Sequence, residues 1–413
     1  MATIKAFNGL RPVKELASQV AALPYDVYDR AEAVEAVKGK EYTFLRIDRA
    51  ETQFDDSMNI YDEQVYAKAK ELLEADKAKG VYKTDPKKCY YIYELTMDGR
   101  TQTGIVACAS IDDYVNGVIK KHENTREDKE QDRIHHVDTV NAQTGPIFLA
   151  YRENKIISKV IEKTKNEEPI FDFTAEDGIR HRGFVIDKDE DIKVIEDEFD
   201  KINDIYIADG HHRAASAVKV GLKRRDENKD YNGSEEFNYF LSVLFQEQEL
   251  MIMPYNRVVH DLNGMTDDEF LQKLSNDFSV EEKGEKAYAP CEKAEFGMYL
   301  NGKWYSIKAS DNLLSEDVVK GLDVSILQDN VLGPMLGIED PRTDKRIEFV
   351  GGIKGLEELK VRADKTKGVA FSMYATTIQE LFGVADAKRL MPPKSTWFEP
   401  KLRSGLFIHE LDK

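Results

Sequence analysis

The sequence predicts an α/β fold of mixed α+β character, and three observations carry that expectation. Short apolar runs of strand length, at 147–151 and 205–208, alternate with longer helical patterns, at 63–79 and 155–165. Asp98-Gly99 and Asn301-Gly302 each separate two strand-like runs, the signature of tight β-hairpins. At 413 residues the chain is long enough for more than one domain. The expected division is a core over 1–250 with N-terminal α/β elements, and a C-terminal α+β part over 251–413 that closes on it.

Taken in order, 4–12 reads as an entry strand closed by Arg11-Pro12, and Leu16, Val20 and Leu23 give the next segment helical spacing. Pro24-Tyr25-Asp26-Val27 is a turn fixed by its proline, and 31–38 is a short helix. Over 63–79, Val65, Ala69, Leu72 and Leu73 form one face, charges form the other, and Gly80 stops the helix. The hairpin over 90–95 and 101–110 follows, then a polar stretch rich in His and Arg. Strand 147–151, helix 155–165, strands at 171–173 and 183–186, and helix 189–199 lead to the apolar run at 205–208. Beyond it lie a polar loop at 226–236, strands at 240–246 and 250–253, and a helix at 266–278 with Asp267 and Asp268 placed for its dipole. The second hairpin spans 294–300 and 303–308. A mostly helical 313–332, strands at 347–350 and 369–373, helices at 355–365 and 377–382, and a strand at 405–411 complete the chain.

Composition limits the function. There are 59 basic and 77 acidic side chains, a formal charge of −18, which argues against nucleic acid as a partner because that needs a basic footprint. Three widely spaced cysteines form neither a metal-type pair nor a disulfide framework, consistent with a reducing, cytoplasmic setting. Met1-Ala2-Thr3-Ile4-Lys5 lacks an apolar signal core, and no run reaches membrane-spanning length, so no membrane partner is expected. The oligomeric state stays open, a homodimer included.

The most informative stretch is 205–217. An apolar strand meets Asp209-Gly210, and an Ala-rich helix begins at His212 or Arg213. A helix start offers free N–H groups and the positive end of a dipole, a ready anion site, and Arg213 adds a forked positive charge suited to phosphate. A cation there opposes the dipole unless an anion sits beside it. In the plainer alternative, Asp209 caps the helix and pairs with Arg213, and both histidines lie on the surface. A second polar stretch carries His122, Glu123, Arg126 and Arg133, a mixture able to hold phosphates and offer a base, or else an exposed loop before a charged helix. Adjacent histidines diverge on a helix, so no protein metal cage is expected; magnesium carried by a nucleotide is easier to accommodate. Tyr25 and Asp26, Asn256 and Arg257 after a strand, and the Lys394-Ser395-Thr396 turn are further candidates for substrate or phosphate contacts.

The Asp209-Gly210-His211-His212-Arg213 motif resembles the phosphate-binding turn of the ParB/sulfiredoxin superfamily, whose members include CTP-binding partition proteins, ATP-dependent sulfiredoxins and free-serine kinases. His211 stands where sulfiredoxin has its catalytic cysteine, so the free-serine kinases are the nearer likeness. Gly9-Leu10-Arg11-Pro12, Pro24-Tyr25-Asp26-Val27, His122-Glu123, the central turn, Pro254-Tyr255-Asn256-Arg257 and Met391-Pro392-Pro393-Lys394-Ser395-Thr396, in this order, resemble the domain-of-unknown-function 1015 family nearly end to end. The resemblance implies a ParB/sulfiredoxin-like nucleotide-binding core and a phosphotransferase using ATP or ADP with Mg2+ on a small hydroxylated metabolite such as free L-serine. In that scheme Gly210, His211, His212 and Arg213 hold phosphates, and Arg126, Arg133, Lys394 and Ser395 assist. Glu123, or else Asp209, takes the proton, with His211 beside them. Tyr25, Asp26, His122, Asn256 and Arg257 contact substrate. A nucleotide-binding switch without turnover is the alternative.

Overall fold

Both predicted hairpins form around residues in the left-handed region, Asp98 and Gly99 at φ 50° and 78°, and Asn301 and Gly302 at φ 45° and 85°. Backbone twist at such pairs matches that of the flanking strands, which is why Asp-Gly and Asn-Gly are strong signals. In the computed structural model, which describes residues 1–412, the chain divides into two compact units. One comprises Met1–Leu250 and Pro400–Lys413, the other Met251–Glu399.

The first unit is built on a nine-stranded mixed sheet. From one edge the order is Ile119–Lys120, Ile205–Asp209, Ile147–Tyr151, Tyr239–Gln246, Arg100–Ser110, Tyr90–Met97, Arg180–Ile186 and Phe171–Thr174, with Ile4–Lys5 also pairing with Arg100–Ser110. Most neighbours are antiparallel. Ile205–Asp209 runs parallel to Ile119–Lys120, and Tyr239–Gln246 runs parallel to Ile147–Tyr151. Ile147, Leu149, Ile205, Ile207, Phe240 and Leu244 pack under Ala214, Ala217 and Val218 of the helix His211–Glu227. Fully burying each large aliphatic side chain contributes about 1.5–3 kcal/mol, so strand and helix are held tightly on both sides of the turn between them.

The closing segment returns to this unit. Ser404 pairs with Ala22, Ile408 with Leu10, and His409–Glu410 with Ala142–Gln143. His409 Nε2 lies 2.8 Å from Glu236 Oε2, tying the tail to the segment before Tyr239–Gln246.

The second unit is a six-stranded antiparallel sheet in the order Phe278–Gly284, Lys303–Ala309, Glu295–Leu300, Val369–Ser372, Tyr255–Val259, Ile347–Gly351. Helix Gly355–Thr366 covers it, with Leu359 and Ala363 against Val258, Tyr299 and Trp304. Two expectations are corrected here. The helix expected over 266–278 ends at Leu274, and Phe278 begins an edge strand whose Glu281, Glu282 and Lys283 break the apolar alternation. The segment 313–332 is helical only from Asp323, with a widened turn over Gln328–Leu332.

Gly221 shows how closely the central helix sits. A Cβ there would press into the Phe237 carbonyl oxygen and stand 2.8 Å from Ile111 Cδ1. Helix propensity favours alanine by about 1 kcal/mol, but overpacking against a backbone carbonyl costs about 1–3 kcal/mol. Gly221→Ala is therefore expected to destabilise by about 1 kcal/mol, read as a lower urea midpoint. An unchanged or raised midpoint would show that the helix can shift.

Candidate functional site

Between Ile205–Asp209 and the helix His211–Glu227 stands a single residue, Gly210, at φ 91° and ψ 33°. The strand reaches it through a bulge, where the register against Ile147–Tyr151 shifts between Ile207 and Asp209. Such a bulge re-aims the side chain that follows, here Asp209. The helix start carries no side-chain cap, so Asp209 does not act as one. A Cβ at Gly210 would stand 3.1 Å from three atoms of the Arg213 side chain, which curls back over the turn. Arg213 Nη1 donates to the Pro146 carbonyl at 2.6 Å. Its Nη2 lies 3.6 Å from Asp209 Oδ2, and Lys401 Nζ lies 3.4 Å from the same oxygen. Burial raises the Asp209 carboxyl's pKa, but Lys401 and Arg213 outweigh it and hold it well below the ordinary carboxylate range. Two cations thus face one carboxylate at the positive end of a helix.

Of the two histidines of the turn, His211 is buried and His212 half-buried. His211 and His122 are buried at 4% and 1% exposure, their rings perpendicular with centroids 4.5 Å apart. Neither His211 Nε2 nor Arg213 Nε has a hydrogen-bond partner, and the His122 ring, which makes no well-aligned hydrogen bond, has only the Ile207 backbone beside it as a polar neighbour. Burial lowers the pKa of His122 to about 4, and burial with the adjacent His122 holds His211 well below the usual histidine range. Both imidazoles are neutral at pH 7. Glu123, 41% exposed at its side chain, places Oε2 3.6 Å from His211 Nδ1, so a carboxylate stands at the edge of the buried pair. His212 Nε2 accepts from the Arg126 N–H at 3.0 Å, and Asp26 is close enough to act electrostatically on the same ring.

Against Arg213 lies a small pocket of about 30 Å³, lined by Tyr25, Arg133, His136, Asp48, Thr144 and Ser404 among others. The helix Glu127–Val140 buries Glu130, Arg133 and His136 at intervals of three, one face turned inward. The Arg133 guanidinium lies 4.0 Å above the Tyr25 ring and pairs with Asp132 at 2.8 Å. Asp48 accepts from Thr144 Oγ1 at 2.8 Å.

The first unit therefore brings together Tyr25, Asp26, His122, Glu123, Arg133 and the turn Asp209–Arg213. Arg126 joins by its backbone, while its exposed guanidinium pairs with Asp128 at 2.8 Å. Asn256, Arg257, Lys394 and Ser395 belong to the second unit, where they tie strand to turn. Arg257 donates to the Lys394 carbonyl at 3.0 Å and to the Tyr255 carbonyl, Asn256 Oδ1 accepts from Met373 N, and Ser395 Oγ donates to the Pro392 carbonyl. Lys401, Asp48, His136, Thr144 and Ser404 escaped the sequence reading. Lys401 is 192 positions from Asp209, and only its place just after the Met391–Thr396 motif hinted at it.

The buried histidines set a pH dependence. His122 and His136 each sit near pKa 4, both through burial, against about 6.5 when unfolded. Between these values the unfolded chain binds more protons, so stability falls as pH drops below 6.5, by up to about 1.4 kcal/mol per pH unit for each histidine. Urea midpoints are expected to fall from pH 7 to pH 5, with His136→Gln reducing the slope. A flat profile would mean that these rings are solvated.

No curated protein sequence matches the chain. Among solved structures, a variant of free serine kinase in complex with AMP matches at 15% identity and TM-score 0.33, over 73% of this chain and 92% of that one. A second variant, in complex with ADP, matches at 16% and TM-score 0.33, over 74% and 93%. A conserved hypothetical protein from Pyrococcus furiosus matches at 16% and TM-score 0.32, over 74% and 94%. The family model described as protein of unknown function DUF1015 matches residues 4–325, and with most of its length so covered the chain belongs to that family.

Proposed function

We propose that the protein is a nucleotide-dependent phosphotransferase that moves a phosphoryl group from ATP or ADP to the hydroxyl of a small metabolite. The observation that carries this reading is the uncapped helix start at Gly210, with His211 Nε2 and Arg213 Nε buried beside it without partners. Buried polar groups are nearly always satisfied, so a cluster of orphans beside free helix N–H groups suits a bound oxyanion. Phosphoryl transfer needs positioning and charge neutralisation more than covalent help. Gly210, His211 and His212 supply backbone donors, and Arg213 with Lys401 neutralises charge. Glu123, at the exposed edge, accepts the proton of the acceptor hydroxyl. Mg2+ arrives on the nucleotide. The likeness of the Asp-Gly-His-His-Arg motif to that of the free-serine kinases makes L-serine the first acceptor to test.

A second reading, a nucleotide-gated switch without turnover, draws on the contact of Asp209 with both cations. A phosphate would have to displace that carboxylate, and its displacement would move the turn.

A phosphorus NMR time course with ATP or ADP, Mg2+ and a pool of hydroxylated metabolites separates the two. A new phosphomonoester is expected with one acceptor. Glu123→Gln should slow its formation by about 100-fold or more, the usual worth of a general base, and Arg213→Ala should weaken nucleotide binding. Stoichiometric binding without product would favour the switch, and no binding would overturn both.

A further inference from the structure

We propose that the first unit holds a second ligand site, a cleft for a small amphoteric metabolite that carries one carboxylate and one cationic group. The proposal does not depend on the phosphotransferase reading. The cleft encloses about 570 Å³, within the range of small-molecule sites. Leu23, Tyr28 and Tyr42 contribute apolar surface to its lining, and Lys40, Asp177 and Arg403 contribute charge.

Arg403 is its fixed element. Its side chain is 4% exposed, and its Nε donates to His181 Nε2 at 3.3 Å. His181 lies 2.8 Å through Nδ1 from the Tyr93 hydroxyl, and burial, with Arg403 alongside, keeps the ring neutral. A neutral acceptor therefore fixes the guanidinium from behind without cancelling its charge. The charge is met from the front by Asp177, which is 39% exposed and sits on the turn between the strands Phe171–Thr174 and Arg180–Ile186. A rigid, buried cation faces an exposed carboxylate on a loop. Beside them Lys40 pairs with Glu176 at 2.9 Å, both partners largely exposed. The cleft wall thus presents alternating charges that a ligand of both signs can exchange with. Its carboxylate takes the place of Asp177 on Arg403 in the forked geometry guanidinium favours, and its cationic group meets the displaced acid.

The cleft stands back to back with the phosphate-side pocket. Ala22 and Ser404 pair through their backbones, with Ser404 N–H donating to Ala22 O at 2.8 Å. Arg403 lines the cleft and its neighbour Ser404 lines the smaller pocket, as successive residues of an extended segment should.

Saturation-transfer NMR on the full chain tests the proposal, with L-threonine, L-valine and L-glutamine as amphoteric probes, succinate as a dianion and putrescine as a dication. At least one amphoteric probe is expected to bind in preference to succinate and putrescine. Binding should persist in Arg213→Ala, which disables the phosphate turn, and weaken at least tenfold in Gln19→Trp, an exposed lining position where the indole fills the cleft without entering the core. Asp177→Asn should erase the preference over succinate while the protein stays folded by circular dichroism. No binding by any probe, binding unaffected by Gln19→Trp, or binding lost in a folded Arg213→Ala would each overturn it.

Discussion

The backbone of Gly210 is the constraint on which the candidate site depends. A strand that enters the core and a helix that leaves it meet with one residue between them, and that residue takes φ 91°. Any side chain there would be strained by the backbone, and its Cβ would stand 3.1 Å from Arg213, which would have to give by a few tenths of an ångström. The same missing Cβ thus permits the turn and gives the guanidinium its place above it. Ile205 and Ile207 below and Ala214, Ala217 and Val218 above are fixed in one core, so the turn cannot relax by moving either arm.

That geometry has an electrostatic cost, and its offsets can be traced. Arg213 in the first turn opposes the helix dipole. Asp209 offsets this within the turn, and Lys401, arriving from the far end of the chain, leaves the balance positive. The two buried histidines avoid a larger cost by staying neutral, since an unpaired imidazolium in so dry a place would be severely penalised. Neutral rings still demand hydrogen bonds, and His211 Nε2 makes none. The cluster is therefore held by surrounding packing rather than by its own interactions, the usual signature of residues kept for a ligand.

Local physics made much of this legible in the sequence. The Asp-Gly and Asn-Gly hairpins, the strand 147–151 and the helix 189–199 follow from turn chemistry and periodicity alone. So did the strand, glycine and helix around Asp209, because a turn of that kind is written in consecutive residues. What sequence could not show was approach across long separations. The ring of His122 against His211, the Lys401 ammonium on Asp209 and the Tyr25 ring under Arg133 join elements 89, 192 and 108 positions apart, by subtraction of their residue numbers. Asn256, Arg257, Lys394 and Ser395, whose polarity after a strand suggested a site, lie in the second unit, where Arg257 joins Tyr255–Val259 to the Lys394 carbonyl and Asn256 accepts from Met373 N. The edge strand Phe278–Gly284 was hidden because its outward charges protect the edge and spoil the pattern.

Net charge illustrates why scale matters in such readings. A formal charge of −18 opposes a long nucleic acid, which must lie along many side chains at once. It says little about a triphosphate tail. At physiological ionic strength fields decay over about 8 Å, so acidic side chains across the surface are largely screened from a ligand at the helix start. What a phosphate would meet there is set within a few ångströms, by Arg213 and Lys401 on one carboxylate and by the helix end beneath them. An acidic protein can therefore carry an anion site, provided the cations are buried enough to escape the screening that weakens the rest. Arg213 and Lys401, at 11% and 14% side-chain exposure, meet that condition.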